Sequence, residues 1–303
     1  MRCDGVPVQR LKPVTGPVVA FLGLGALGTP MALRLLEGGF ALRVHNRSPG
    51  RTAPLLAAGA RAAASVAEAV AGADLVCLCL RDDLAVRQVL FGPGDQAAVA
   101  TLEPGALVID FSTIAPATSR ELADELAAHG VAYLDAPVTG GTEGARAGRL
   151  SVLVGGAADQ LERARPLLEQ VGQRITHFGP VGTGQQVKAL NQVMVAGSYA
   201  ALAEALALGR RLGLPMEEVC AALAGGAAGS WALQHRAANM LRDDFPLGFR
   251  LDLHRKDLAI AQAEAAAVGQ SLPVSERVAA LEDDLIAAGF GAEDVSALAR
   301  WFA

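Results

Sequence analysis

An apolar run, Val18–Leu22, leads directly into Gly23-Leu24-Gly25-Ala26-Leu27-Gly28, and a helical pattern begins behind it at Pro30. No other feature restricts the fold as much. G-x-G-x-x-G is informative only between a strand and a helix N-terminus, and that is where it stands. Gly23 permits a tight turn, Gly25 lets an anion approach the main chain, and Gly28 allows the helix to pack closely on the strand. Free N–H groups at the helix start then face a diphosphate. The spacing predicts a βαβ unit that binds a dinucleotide through Gly23, Leu24, Gly25, Ala26, Leu27 and Gly28.

The same alternation continues to about His177. Further strands are expected at Leu42–His45, Leu75–Leu80, Ala106–Phe111, Val131–Leu134, Ser151–Val154 and Arg174–Phe178. Helical stretches at Pro30–Glu37, Ala64–Ala71, Ala117–Ala128 and Ala158–Gln170 separate them. Continuous apolar strands alternating with helices imply a sheet covered on both faces, a doubly wound α/β domain of Rossmann type. After Gly184 the strand signals stop. Gln185–Leu212 is long enough for one helix of about seven turns, and helices follow near Met216–Leu223, Trp231–Leu241, Leu251–Val268 and Val274–Ala287. The expected organisation is a leader at 1–16, a dinucleotide-binding domain at 17–181, and an all-α domain at 182–303 joined to it by the long helix.

Composition narrows the functional classes. The 303 residues suit two domains, and 52% apolar with 19% charged residues excludes disorder. A net charge of −5 has the wrong sign for a general nucleic-acid binder. No uninterrupted apolar run reaches the ~18 residues of a membrane span. Residues 1–16, with Pro7 and Pro13, lack the apolar centre of a signal peptide, so a cytoplasmic location is expected. The cysteines Cys3, Cys77, Cys79 and Cys220 form no C-x-x-C pair, and the five histidines show no ligand spacing, so no metal site is expected. Cys77 and Cys79 are expected on one face of a buried strand. The run Glu282-Asp283-Asp284 is expected on a solvated helix face, and Asp110 and Asp135 in turn hydrogen bonds at strand ends. Trp231 suits either a cleft wall or a helix anchor.

The end of the second strand selects the cofactor. NAD enzymes usually place a carboxylate there for the ribose hydroxyls. This chain has His45-Asn46-Arg47-Ser48 instead. Asn46 and Ser48 can donate hydrogen bonds, and Arg47 can pair with a 2′-phosphate. NADP is therefore the expected cofactor, with NAD possible because one arginine can also stack on adenine.

Of the 26 basic residues only Lys12, Lys188 and Lys256 are lysine. Lysine can be tuned into a proton donor near neutral pH, whereas arginine cannot readily serve. Lys188 falls in the second turn of the long helix, near the domain boundary. Asn191 and Gln192 follow at i+3 and i+4, on the same helical face. A lysine beside two amides at a domain junction suits a substrate cradle, as it also suits a polar surface.

From residue 18 onward the chain resembles the β-hydroxyacid dehydrogenase family. Gly23 to Met31 is similar to the family's cofactor loop, and Asp110-Phe111-Ser112-Thr113-Ile114-Ala115-Pro116 to its segment beside the nicotinamide. Asp135-Ala136-Pro137-Val138-Thr139-Gly140-Gly141 is similar to the substrate-binding signature. Gly182-Thr183-Gly184-Gln185-Gln186-Val187-Lys188 with Asn191 is similar to the catalytic one, and Lys256-Asp257-Leu258 to the C-terminal one. The resemblance implies that Lys188 is the general acid protonating the aldehyde oxygen as hydride arrives, and the base in reverse. It implies that Thr139, Gly140 and Gly141 hold a substrate carboxylate, that Asn191 and Gln192 orient substrate and lysine, and that Leu80, Thr113 and Lys256 contact the cofactor.

Several positions depart from the common pattern. Thr139 stands where many members have Ser, and Arg81 follows Leu80 where Pro is common. Gln192 stands where many members have a second Asn, which resembles the branch that reduces tartronate semialdehyde to glycerate. That reaction is the expected one. Methylmalonate semialdehyde (with 3-hydroxyisobutyrate as its product) and succinate semialdehyde are neighbouring alternatives. Imine reduction on the same architecture typically lacks the lysine, and a non-catalytic binding module usually loses it. The expected partner is a small carboxylate, with no nucleic acid or membrane. Apolar residues Leu190, Val193, Met194 and Leu202 on the long helix suggest a homodimer or homotetramer.

Overall fold

The computed structural model describes residues 16–48 and 50–303; Cys3, Lys12 and all but the last residue of the expected leader lie outside them. Six parallel strands form the main sheet: β1 (Val18–Leu22), β2 (Ala41–His45), β3 (Arg61–Ala62), β4 (Leu75–Leu78), β5 (Leu107–Asp110) and β6 (Ala132–Asp135). Their order is β3-β2-β1-β4-β5-β6, so the direction of winding reverses between β1 and β4. Ligands of doubly wound sheets bind at such a reversal, beyond the carboxyl ends of the strands.

Both faces are covered, as continuous apolar strands require. The helices of this half are α1 (Gly28–Glu37), α2 (Ala53–Ala57), α3 (Val66–Val70), α4 (Asp83–Phe91), α5 (Pro116–Ala127), α6 (Gly141–Ala147) and α7 (Ala158–Val171). Alternate residues of β1 feed two separate cores. Val19 and Phe21 pack with Met31 and Leu35 of α1, whereas Ala20 and Leu22 pack with Val86 and Leu90 of α4 and Leu122 of α5. In this half, among the described residues, the starts of α3 and α4 are capped by side chains. Ser65 Oγ accepts from Glu68 N at 3.1 Å, and Asp82 Oδ1 accepts from Ala85 N at 2.9 Å.

The last two expected strands do not join the main sheet. β7 (Val138–Thr139), β8 (Leu150–Val154) and β9 (Gly172–His177) form a separate three-stranded sheet. In it β7 runs antiparallel to β8, and β8 parallel to β9. The cause lies at Ala136-Pro137. Proline has no N–H for a ladder, and the short return through α6 brings the chain back antiparallel, which needs no long crossover. The third expected strand also ends early, at Leu78. Cys77 is fully buried, and Cys79, just past the strand, packs on the same core.

The second half is helical: α8 (Thr183–Arg211), α9 (Met216–Ala224), α10 (Trp231–Leu241), α11 (Leu251–Ala267), α12 (Pro273–Ala287) and a closing 3₁₀ segment, Val295–Phe302. At 29 residues α8 spans about 43 Å. It is long and apolar enough to cross a bilayer, with mean hydropathy 1.3 over 18 residues. Here it is the central helix of the domain, burying Tyr199, Leu202, Ala203 and Leu206 in the helical core. Glu282 departs from expectation. It is completely buried, because its Oε1 meets His254 Nδ1 at 2.5 Å between α11 and α12.

Candidate active site

The glycine loop is closely packed at two points, once against the end of β4 and once on itself. Gly23 has φ +98°, and a Cβ there would fall on the Cys79 carbonyl oxygen. A Cβ on Gly28 would strike the Gly23 oxygen, so helix α1 sits as close to β1 as glycine permits. At Gly25 a Cβ would meet no protein atom within 4 Å, and the space lies toward the cleft. Asn46 ties the loop to β2: its Oδ1 accepts from Leu24 N at 2.9 Å, and its Nδ2 donates to Ser48 O at 2.9 Å.

A cleft of about 470 Å³ opens between the ends of β1, β2 and β4. Gly23, Gly25, Asn46, Arg47, Ser48 and Leu80 all line it. Leu24 is wholly buried, Leu27 half-buried and Ala26 exposed. The structure thus brings the glycine loop, Asn46-Arg47-Ser48 and Leu80 to one cavity, whereas Thr113 and Lys256, also expected at the cofactor, do not line it.

Beyond β5 and β6, a buried polar scaffold sets the start of α8. Asp135 accepts from Gly182 N at 2.8 Å and Gln185 N at 2.9 Å, which fastens the helix to the end of β6. Burial raises its carboxyl above the ordinary range. Gln185 Nε2 donates to Ser112 O at 2.8 Å, and its Oε1 accepts from Ile114 N. Asp110 accepts from Ser112 N at 2.9 Å and the Tyr133 hydroxyl at 3.0 Å, and burial pushes its carboxyl up to about 6. Asp110 makes the expected turn hydrogen bond, to Ser112 N, whereas Asp135 bonds across the fold to the start of α8 rather than within a turn.

Lys188, one turn further along α8, is buried. Its Nζ donates to Val138 O at 2.9 Å and lies 5.8 Å from the centre of the Phe249 ring. Burial lowers its ammonium to about 8, against an opposing pull from Asp257. An ammonium carries three donors. The Val138 bond uses one of them, so the group can protonate an oxygen placed beside it. Thr139 follows Val138 at once, then Gly140 at φ +131° and Gly141 at φ +64°. The lysine therefore stands at the root of the loop expected to hold a carboxylate.

The amides of α8 join a hydrogen-bonded chain. Asn191 Nδ2 donates to Gln192 Oε1 at 2.7 Å, and Gln192 Nε2 donates to Asp257 Oδ2 at 2.6 Å. Asp257 Oδ1 lies 2.9 Å from Lys256 Nζ. That ammonium donates to Arg81 O at 3.0 Å and to Thr113 O, so two hydrogen bonds tie α11 to two loops of the dinucleotide half. Lys256 and Thr113, both of which the resemblance places against the cofactor, meet here through the lysine ammonium and the threonine's carbonyl.

Sequence reasoning did not single out Phe249, or Asp257 apart from its motif. The signal for Asp257 was its place after the C-terminal lysine; Phe249 lies in the segment leading to that lysine, but a single apolar residue does not stand out there. A second buried cluster was also unforeseen. Arg236 Nη2 donates to Glu143 Oε1 at 2.6 Å, and Asp294 Oδ2 accepts from Gly248 N and Phe249 N at 2.9 and 2.8 Å. It fixes the Phe249 main chain and ties α6 to the helical domain. Trp231, exposed at the start of α10, stacks on His235 and faces the Arg236 guanidinium, both of its own helix, and it does not line the dinucleotide cleft. Among the described residues no three His, Cys, Asp or Glu side chains group as a metal ion requires.

Comparison with known proteins agrees with this architecture. The family model described as the NAD binding domain of 6-phosphogluconate dehydrogenase matches residues 18–179. The model described as NAD-binding of NADP-dependent 3-hydroxyisobutyrate dehydrogenase matches residues 182–302. The chain is 38% identical to the NAD-dependent L-serine dehydrogenase of Pseudomonas aeruginosa, over 94% of this chain and 97% of that one. It is 36% identical to the 2-hydroxy-3-oxopropionate reductase of Escherichia coli, over 93% and 96%. Among solved structures, the Mycobacterium tuberculosis 3-hydroxyisobutyrate dehydrogenase with L-serine superposes with a TM-score of 0.83 at 34% identity, covering 94% of this chain and 98% of that one.

Proposed function

The chain belongs to the β-hydroxyacid dehydrogenase family, and we propose that within it the protein reduces tartronate semialdehyde to glycerate with NADPH. It is an NAD(P)-dependent oxidoreductase acting on hydroxyl groups. The observation that carries the proposal is Lys188: a buried ammonium, lowered to about 8, one residue's carbonyl away from the Thr139-Gly140-Gly141 loop.

The cleft suits a dinucleotide, because Gly25 leaves open the space that a Cβ would occupy and Arg47 stands at the β2 end of the same cavity. The nicotinamide cofactor supplies and accepts hydride. Everything else falls to side chains of this chain. Thr139, Gly140 and Gly141 hold the substrate carboxylate, which puts the aldehyde oxygen beside Lys188 Nζ. Lys188 then gives a proton to the alkoxide that develops there, and the cation stabilises that charge before the proton moves. In the reverse direction the neutral amine takes the proton back. Asn191 and Gln192 keep substrate and lysine in register, with Asp257 holding Gln192 from behind. Lys256 acts on the cofactor through the Arg81 and Thr113 loops that it grips. Arg47 pairs with the 2′-phosphate of NADP.

The exposed Leu190 and Met194 on α8 are covered by a second copy in a homodimer or homotetramer, and the enzyme works in the cytoplasm. A second substrate, L-serine with NAD, is supported by the identity to the P. aeruginosa dehydrogenase. The test is initial-rate NADPH and NADH turnover with tartronate, methylmalonate and succinate semialdehydes, L-serine and one cyclic imine. Efficient turnover of tartronate semialdehyde supports the proposal. Silence there with turnover of another compound reassigns the substrate.

A further inference from the structure

Arg81 lines the dinucleotide cleft on the opposite side from Arg47. In the order β2-β1-β4, Arg47 follows β2 and Arg81 follows β4, so the glycine loop of β1 lies between the two cations. The main chain of Arg81 is fixed, because its carbonyl accepts from Lys256 Nζ at 3.0 Å. Its guanidinium is held loosely. Nη2 donates to Asp252 Oδ2 at 3.3 Å across the domain boundary, and Nε stands 3.8 Å from Asp82 Oδ2. The Arg81 side chain is 63% exposed and that of Asp252 16%.

Asp252 has a tighter partner. Arg250 Nε donates to its Oδ1 at 2.9 Å and Arg250 Nη2 to its Oδ2 at 2.6 Å, a bidentate pair. One carboxylate therefore serves two guanidinium groups, and the longer contact belongs to the one in the cleft. If Arg81 leaves, Asp252 remains fully paired.

We propose that Arg81 is a diphosphate-binding residue of the cofactor cleft, kept at its mouth by Asp252 and transferred to the dinucleotide when it binds. This rests on the dinucleotide assignment of the cleft and adds a second cation to it. The diphosphate is common to NADH and NADPH, so Arg81 acts on both alike, whereas Arg47 acts on the 2′-phosphate alone. Freed from Arg81, Asp252 stays on Arg250 and the domains stay joined through Lys256.

Fluorescence titration of the full chain with NADH and with NADPH, at low and high salt, tests it. Arg81→Gln should weaken both cofactors by about ten-fold, the scale of one charge-assisted hydrogen bond, and should flatten the salt dependence of Kd. Arg81→Lys, which keeps the charge, should recover most of the affinity. Asp252→Asn should bind both at least as tightly as the wild type. An Arg81→Gln protein with wild-type affinity and salt slope overturns the proposal, as does an Asp252→Asn protein that loses as much as Arg81→Gln. A wild type that binds neither dinucleotide overturns the cleft assignment itself; tight wild-type binding with an unchanged Arg81→Gln overturns only the role of Arg81.

Discussion

Lys188 Nζ donates to the carbonyl of Val138, 2.9 Å away, and so binds α8 to the strand that carries Thr139. One hydrogen bond thereby links the residue proposed to move the proton to the loop proposed to hold the carboxylate. The lysine is oriented by main chain, which a side-chain substitution elsewhere cannot remove.

Lys188→Ala should lower kcat by about 10²–10⁴-fold, the usual contribution of a positioned acid or base. Cofactor Kd should stay near the wild-type value, because Lys188 does not line the dinucleotide cleft. Steady-state rates with a parallel binding titration check both. A collapse of cofactor affinity with turnover preserved would remove Lys188 from its role.

Arg47→Ala should weaken NADPH by about 10–100-fold, the range for hydrogen bonds to a charged group, while changing NADH little. The measurement is Kd for both cofactors on one preparation. Equal losses would mean that Arg47 contacts something the two cofactors share.

Asp257→Ala removes the acceptor that faces both Gln192 and Lys256. The expected result is a higher KM for the semialdehyde and a lower kcat, because Gln192 loses its anchor beside the substrate. Asp257→Asn, which can still accept one bond, should fall between. A variant indistinguishable from wild type would show that Gln192 is held by Asn191 alone.

Glu282→Ala should destabilise the protein by about 1–3 kcal/mol, since it leaves the buried His254 Nδ1 without a partner. Glu282→Gln keeps an acceptor and should cost less. Urea unfolding midpoints compare the three proteins, and equal stability across them would contradict the assigned pairing.

Much of this was legible because the chemistry is local. The glycine loop, the apolar strands and the long helix each announce themselves over a few consecutive residues, and Lys188 stands out as one of only three lysines among 26 basic residues. What the sequence concealed depends on distance or on brevity. β7 has two residues, too few to show a period, and α6 is masked by Gly141 and Gly144, which read as turn. The separate sheet follows from Pro137, whose effect on pairing shows only once the partner strand is known. Glu282 looked like part of an acidic surface run. Its pairing with His254, 28 positions away, is a tertiary fact that no local pattern carries. The Arg236–Glu143 contact spans 93 positions in the same way.

The direct test of the central claim is the pH dependence of kcat/KM in both directions, which reports the acid–base group before substrate binds. Burial holds the Lys188 ammonium at about 8 instead of 10.5. Reduction needs the protonated lysine, so its rate should be level below that value and fall as pH rises through it. Oxidation needs the neutral amine, so its rate should rise through the same point, and Lys188→Ala should show neither transition. Two profiles without opposed transitions near pH 8, or a Lys188→Ala protein that keeps them, would contradict the account.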